Sequence, residues 1–248
     1  MRDYGIATFG DRLADVYDEW SGVLTDADVA AEFLAGLAGD GPGLELGVGT
    51  GRVALPLAGH GIEVHGIDAS PAMVERLRAK PGGQDISLRI GDFADVPADG
   101  EYSLIYVVDS TFYLLLSEEK QRRCLANVAR RLRGDGVLVV QALVPHMNTL
   151  REPRRILPTR VESDRVFLLA AAHDPASQRV ERLEMLVTDA GVRLFPVCYR
   201  YVWPSELDLM AELAGLRLRH RWGGWRNEPF AAEGLWNVSV YEPFTPRP

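Results

Sequence analysis

Apolar residues recur at helical spacing through residues 1–40 of the chain. The first segment repeats at intervals of three and four residues, which predicts an amphipathic helix that starts near Gly10. Its apolar side consists of Leu13, Val16, Tyr17 and Trp20. A second helix is predicted from Thr25 to Gly39, because the same spacing returns there and a glycine commonly follows a helix end.

Short apolar runs then alternate with helical segments. The runs occupy 43–48, 62–67, 86–90, 102–108 and 137–144. Each run is nearly continuous in apolar residues, and a segment with helical periodicity separates most of them from the next. This arrangement predicts a parallel sheet that is covered by helices on both faces.

A different pattern, the alternation of apolar and polar residues, occupies about 155–202. One apolar set consists of Leu183, Met185 and Val187, and another consists of Phe195, Val197, Tyr199 and Tyr201. Alternation is typical of half-buried strands, and the turn residues 189–191 separate these two sets. The pattern predicts an antiparallel insertion, after which a helix from Pro204 and two further strands complete the main sheet.

The predicted fold class is therefore α/β, with a Rossmann-like, doubly wound, mostly parallel sheet of seven strands and an antiparallel β insertion after the fifth strand. Residues 1–40 are expected to form helices that cap the site, and 41–154 to form the cofactor-binding core. Residues 155–202 are expected to cover the substrate or to form a dimer. Residues 203–248 are expected to complete the core.

Charge and cysteine content narrow the range of partners. The 248 residues include 27 basic and 35 acidic side chains, with a net charge of −8. Nucleic acid is not expected as a partner, since phosphate binding requires clustered Lys and Arg. The longest apolar run, Val137 to Val144, is too short to span a membrane. The isolated Cys124 and Cys198 fit a reducing compartment, so we expect a cytoplasmic protein, and we expect no metal site.

A glycine-rich turn follows the first predicted strand, in the sequence Glu45-Leu46-Gly47-Val48-Gly49-Thr50-Gly51. Glycine allows the backbone to turn at positive φ and allows a ligand to approach without a Cβ in the way. Several classes of nucleotide-binding domain share such a turn, and a plain strand–turn–helix connection is the alternative.

Two acidic residues follow the next two strands. Asp68 ends the second strand, at about the distance from Gly47 where an acid that binds a ribose is expected. The alternative is that Asp68 only begins the following helix, although Ser70 is already suited to cap it. Asp92 and Phe93 follow the third strand, where Asp92 could accept from an adenine amine while Phe93 covers the ring.

The acid before the glycines favours one cofactor. A dinucleotide site uses G-x-G-x-x-G and binds a pyrophosphate at the helix N-terminus. Glu45 would repel a pyrophosphate but would suit an ammonium group. S-adenosyl-L-methionine carries a ribose, an adenine and an α-ammonium without phosphate, so it is the expected cofactor and S-adenosyl-L-homocysteine the expected product. A nicotinamide-dependent oxidoreductase and a SAM-binding domain without catalysis are the alternatives.

These motifs resemble those of the class I SAM-dependent methyltransferases over about residues 40–144 and again over 204–241. Within that superfamily, residues 14–18 and 109–114 resemble small-molecule methyltransferases, most closely the aminosugar N-methyltransferases of antibiotic biosynthesis. Those enzymes also carry an antiparallel insertion after the fifth strand. The motifs after Val144 depart from theirs, so the substrate is not carried over.

The resemblance implies a role for each motif. Glu45 and the backbone at Gly47, Gly49 and Gly51 would hold the methionine part of the cofactor. The ribose would lie at Asp68 and Ala69, and the adenine at Asp92 and Phe93. Val108 would lie beside the sulfonium, and Tyr17 would close over the site. A core aromatic is the alternative for Tyr17.

Methyl transfer from a sulfonium is an in-line displacement, so the protein mainly has to align the reactants and exclude water. A hydroxyl acceptor benefits from a base, whereas an amine acceptor only needs to be neutral. The candidate catalytic residues are Asp109, His146 and Tyr17. The candidate substrate-binding residues are Tyr113, Tyr199 and Tyr201, with a core position as the alternative. The expected reaction transfers a methyl group to nitrogen or oxygen of a small molecule, with secondary metabolism as the expected setting and a homodimer as one option for the assembly.

Overall fold

The computed structural model describes residues 1, 3–21, 26–145, 154–231 and 233–244. Within these ranges, seven strands form one mixed sheet: Gly43–Leu46 (β1), Val64–Asp68 (β2), Ser87–Ile90 (β3), Tyr102–Val107 (β4), Leu132–Leu143 (β5), Leu216–Trp222 (β10) and Trp236–Pro243 (β11). Their order across the sheet is β3-β2-β1-β4-β5-β11-β10. β11 is antiparallel to both of its neighbours, while β1 to β5 pair in parallel.

Helices cover the sheet on both faces. They are Thr8–Leu13 (α1), Tyr17–Ser21 (α2), Ala27–Ala35 (α3), Ala54–Gly59 (α4), Pro71–Arg78 (α5), Glu118–Arg131 (α6) and Pro204–Leu213 (α7), with a 3₁₀ turn at Thr111–Leu114. The Ser70 and Ser117 hydroxyls accept from the backbone N–H groups of Met73 and Lys120, so both serines cap the helices that follow them. Two apolar clusters, one on each face of the central strands, form the core.

A second sheet of four antiparallel strands follows β5. The strands are Arg154–Val161 (β6), Arg165–Asp174 (β7), Arg179–Thr188 (β8) and Gly191–Arg200 (β9), and they pair in that order. The predicted α/β fold with an antiparallel insertion after the fifth strand is thus confirmed. None of the described helices is long and apolar enough to cross a bilayer.

The first predicted helix is wrong in one respect, because the chain forms two short helices, α1 and α2, instead of one. Side chains on either side of the break form hydrogen bonds with other loops, and these bonds fix the two helices separately although the apolar spacing is continuous. In α1, Asp11 accepts a hydrogen bond from the Ser70 hydroxyl at 2.5 Å. In α2, Asp18 accepts from the Thr50 hydroxyl at 2.6 Å. The second predicted helix is shorter than expected: it spans Ala27–Ala35, and the Asp26 side chain caps it by accepting from the Val29 N–H.

Candidate cofactor and acceptor site

A cleft of about 680 Å³, part of it open to solvent, lies at the carboxyl ends of the parallel strands beneath α1 and α2. The predicted site residues that line it are Tyr17, Gly47, Gly49, Asp68, Ala69, Asp92 and Phe93. Parallel sheets bind ligands at this edge, where the strand order reverses.

The glycine-rich turn forms the floor of the cleft. Gly47 has a φ of +76°, and a Cβ at this position would overlap Cγ2 of Thr111. Gly49 has a φ of +54°, and no atom lies within 4 Å of the place where its Cβ would be. Gly47 is therefore required by a close protein contact, whereas the backbone at Gly49 is open to a ligand.

Asp68 joins the two loops at the end of β1 and β2. One carboxylate oxygen accepts from the backbone N–H of Gly49 at 2.8 Å, and the other accepts from the N–H of Ser70 at 2.8 Å. Burial raises the pKa of Asp68, and the backbone hydrogen bonds oppose that rise. The Ala69 N–H also bonds to this carboxylate. Because a carboxylate has about four lone-pair sites, it keeps the capacity to accept a further hydrogen bond.

Asp92 is held by a lysine that lies far from it in the chain. Its Oδ2 accepts from Lys120 Nζ at 2.8 Å, and its Oδ1 accepts from the N–H of Ala94 at 2.9 Å. Burial alone would raise the pKa of Asp92, but the hydrogen bond and charge of Lys120 lower it. The neighbouring Phe93 is 7% exposed and lines the same end of the cleft.

Glu45 lies behind the wall of the cleft. Its side chain is 2% exposed, and its Oε2 accepts from the Tyr106 hydroxyl at 3.1 Å. Burial raises the pKa of Glu45 to about 8, although the Tyr106 hydrogen bond and the charge of Arg52 oppose that rise. The carboxyl group is placed beneath the glycine-rich turn, where it is shielded from solvent.

The N-terminal helices cover the cleft through polar contacts. Asp18 in α2 accepts from Thr50 and pairs with Lys80 Nζ at 2.8 Å. The neighbouring Tyr17 hydroxyl bonds to Arg52, and burial raises its pKa although the charge of Arg52 lowers it. The Tyr17 phenol therefore stays protonated at neutral pH.

Asp109 lies at the end of β4 and pairs with Arg52. Its backbone and that of Ser110 are both left-handed, with φ of +53° and +63°. Two consecutive non-glycine residues in this region are uncommon, and such conformations concentrate at functional sites. The side chain of Gln141 accepts from the Asp109 N–H, and the Ser110 hydroxyl accepts from the Leu143 N–H at 2.9 Å, so β5 holds the turn in place.

Gly51 and Val108 are not among the described residues that line the cleft. Gly51 is close-packed, since a Cβ there would lie 2.8 Å from Leu77 Cγ. Val108 is buried in the apolar cluster beneath α3 and α4. His146 lies outside the described residues.

The three predicted substrate tyrosines lie where the inserted sheet meets the core. The Tyr113 hydroxyl donates to the carbonyl groups of Leu143 at 2.6 Å and Val202 at 3.1 Å. Tyr201 is 6% exposed, bonds to His173 at 3.1 Å and packs on Trp203. Tyr199 packs against the same core cluster. In the structure, these three tyrosines contact other parts of the protein. That they also contact the acceptor stays a prediction.

Three residues that complete the site, Arg52, Thr111 and Lys120, are not among those predicted from the motifs. Arg52 follows the last glycine directly, so the sequence does carry a signal for it. Thr111 and Lys120 lie after β4 and in α6, and they reach Gly47 and Asp92 only through the folded chain.

Comparisons with known proteins indicate the family of the chain. Residues 44–136 match the family model of the methyltransferase domain. A curated relative, the cypemycin N-terminal methyltransferase of a Streptomyces species, is 27% identical over 202 residues, covering 80% of this chain and 82% of that one. Among solved structures, the CcbJ methyltransferase from Streptomyces caelestis has a TM-score of 0.93 and 39% identity, over 98% of this chain and 100% of that chain.

A more distant structure, the sugar N-methyltransferase KedS8 from Streptoalloteichus sp. ATCC 53650, has 19% identity and a TM-score of 0.68, over 98% of this chain and 99% of that chain. It shares the fold. The expectation of S-adenosylmethionine as cofactor is confirmed. The chain belongs to the SAM-dependent methyltransferases.

Proposed function

We propose that this enzyme methylates an amine nitrogen of a small molecule made in a natural-product pathway. The observation that carries the choice of nitrogen is the state of Tyr17 and Asp109, the two of the three candidate catalytic residues that the structure describes. Burial keeps Tyr17 protonated, and Asp109 is paired with Arg52. A hydroxyl acceptor would need a free base, whereas a neutral amine needs none. The curated relative is named for methylation of an N-terminus, which agrees with this choice.

We assign the cofactor contacts to the residues of the cleft. The open backbone at Gly49 and the left-handed turn around it accommodate the methionine part, and Glu45 is proposed to release its proton when the ammonium group binds, since a nearby cation lowers a carboxyl pKa. Asp68 and Ala69 bind the ribose, since the Asp68 carboxylate retains accepting capacity beside its three backbone hydrogen bonds. Asp92 and Phe93 bind the adenine, and Lys120 orients Asp92.

The cofactor supplies a methyl group that is already activated on a sulfonium, so the chain contributes alignment and exclusion of water. We assign the alignment to the strained turn at Asp109, next to Val108. We assign the exclusion of water to Tyr17, which Arg52 and the Asp18 contacts hold over the cleft. His146 is proposed to face the acceptor, since it comes three positions after β5 in the sequence and β5 ends at the same edge of the sheet.

The inserted sheet is proposed to cover the acceptor with its inward face, near Tyr113, Tyr199 and Tyr201. Its outward face is proposed to contact a second copy of this chain in a homodimer. Nucleic acid is not proposed as a partner, because the net charge of −8 opposes phosphate binding. The buried free thiols of Cys124 and Cys198 support a reducing, cytoplasmic location.

Titration calorimetry and a turnover assay test the proposal. S-adenosylhomocysteine should bind in the micromolar range, about −8 kcal/mol, and NAD should not compete. Amine acceptors should then be methylated, while analogues with a hydroxyl in place of the amine should not. Methylation of the hydroxyl analogues alone would contradict the choice of nitrogen, and tight NAD binding without S-adenosylhomocysteine binding would contradict the whole site.

A further inference from the structure

A charged pair interrupts the apolar inward face of the inserted sheet. Arg182 and Glu184 lie two residues apart on β8, so both side chains point to the same face. Glu184 is directly opposite Leu169 on β7 and Phe195 on β9, which are 5% and 2% exposed. The side chains of Arg182 and Glu184 form an ion pair and are 34% and 15% exposed.

The pair leaves hydrogen-bonding capacity unused. Nε of Arg182 is buried and has no hydrogen-bond partner among the described residues. Within the same part of the chain, Glu184 pairs only with Arg182, through Oε1, so its Oε2 is available. A charge pair that is partly removed from water and incompletely hydrogen-bonded commonly stabilises a fold less than apolar residues of the same size. Its position in an apolar face therefore indicates a ligand.

The position of the pair relative to the cleft follows from the contacts of β9. Phe195 packs on Leu13 of α1, in the cluster that also contains Tyr17. Four residues later, Tyr199 packs on the cluster that contains Leu115, and Leu115 lines the cleft. At about 3.3 Å per residue, these two contacts lie about 13 Å apart along the strand. Between them, Val197 and the small Ala171 lie directly opposite Arg182. The pair therefore lies on the face of the sheet where β9 contacts α1 and the 3₁₀ turn, two elements that border the cleft.

We propose that Arg182 and Glu184 recognise the methyl acceptor through an uncharged group that carries a donor and an acceptor side by side. Nε–H of Arg182 donates to the acceptor's oxygen, and Oε2 of Glu184 accepts from an adjacent N–H or O–H. An amide and a pair of vicinal hydroxyls both have this pattern. The inference rests on the proposed amine methylation and adds a residue pair that selects among amines.

Two amine probes distinguish the two groups that have this pattern. A dipeptide amide with a free N-terminus carries the amide, and the methyl glycoside of an aminodeoxyhexose carries the vicinal hydroxyls. Their binding to the S-adenosylhomocysteine complex is measured by ligand-observed NMR, and their methylation by product formation. We expect at least one probe to bind the wild type. Arg182→Ala and Glu184→Gln should each weaken that binding about ten- to a hundredfold, with S-adenosylhomocysteine affinity unchanged. Glu242→Gln, which removes an acid paired with Arg217 in the main sheet, is the control.

A double variant separates recognition from a structural role. Arg182→Met with Glu184→Leu fills the same space with apolar groups, so its thermal midpoint should be equal to or above that of the wild type, while probe binding is lost. A lower midpoint with probe binding retained would overturn the inference, as would failure of both probes to bind a wild type that binds S-adenosylhomocysteine. A wild type that does not bind S-adenosylhomocysteine would instead contradict the proposed function.

Discussion

The carboxylate of Asp68 accepts a hydrogen bond from the backbone N–H of Gly49 at 2.8 Å, so the acid that ends β2 holds the glycine-rich turn that follows β1. The two proposed halves of the cofactor site, the turn for the methionine part and the acid for the ribose, are thus one hydrogen-bonded unit. A change at either residue should alter both the shape of the cleft and the stability of the loops around it.

Asp68→Ala should lower both affinity and stability. The variant leaves the N–H groups of Gly49 and Ser70 without their partner, which costs about 1–3 kcal/mol of unfolding free energy. Loss of the ribose contact should weaken S-adenosylhomocysteine binding about ten- to a hundredfold. Calorimetry and denaturant unfolding measure the two effects. Asp68→Asn is the matched control, since its amide oxygen retains one acceptor. An unchanged dissociation constant in folded Asp68→Ala would show that the acid only holds the loops.

Gly47→Ala should destabilise the protein for two separable reasons. The new Cβ would overlap Thr111 Cγ2, and the residue has a φ of +76°. The left-handed backbone costs about 1–2 kcal/mol for alanine, and the overlap adds to it. Adding Thr111→Ser removes the methyl group and should recover only the free energy that is lost to the overlap. Gly49→Ala has open space at its Cβ, so it should lose only the free energy that the left-handed backbone costs. Equal unfolding free energies for Gly47→Ala with and without Thr111→Ser would contradict the steric argument.

The raised pKa of Glu45 should make the enzyme less stable as the pH rises. Between its ordinary value of 4.5 and about 8, the folded protein keeps a proton at this site that the unfolded chain releases. The unfolding free energy should therefore fall by a few kcal/mol across this range, since one proton contributes about 1.4 kcal/mol for each pH unit. Glu45→Gln should flatten the profile measured by urea unfolding. The exposed Glu101→Gln should leave it unchanged, and a wild-type profile that rises from pH 5 to 8 would contradict the prediction.

The sequence predicts the parts of the site that are local in the chain. Gly47, Gly49 and Asp68 follow strands at characteristic intervals, so their positions at one sheet edge follow from the α/β pattern. The contact of Lys120 with Asp92 joins residues 28 positions apart, and no local pattern indicates it. The break between α1 and α2 escapes prediction for the same reason, because the contacts of Asp11 and Asp18 with other loops decide it.

Asp109→Asn should separate the charge of this residue from its backbone conformation. Asparagine tolerates a positive φ, so the strained turn should remain while Arg52 loses its charged partner. Methyl transfer should then fall about ten- to a hundredfold, because a small displacement of an aligned group has that effect. Asp109→Ala should add about 1 kcal/mol of destabilisation from the left-handed backbone. Unchanged turnover in Asp109→Asn would exclude the carboxylate from alignment.

The outward face of the inserted sheet carries exposed apolar side chains in register. Ile156, Val161, Val192 and Leu194 are 51–74% exposed, and their cross-strand partners are Ala170, Val166, Val187 and Met185. Directly opposite residues in an antiparallel pair share a face, so these side chains form one continuous patch. Four strands of about ten residues provide enough area for a standard interface of about 800 Å² per subunit.

Leu194→Glu should therefore convert a homodimer to a monomer, because it places a charge within the apolar patch that the contact would bury. Sedimentation velocity at micromolar concentration measures the change, with the fold checked by circular dichroism. The control is Leu213→Glu, since Leu213 is 73% exposed on α7, outside the inserted sheet. The control should sediment as the wild type. A wild type that sediments as a monomer, or a Leu194→Glu variant that remains dimeric, would contradict the use of this face between copies of the chain.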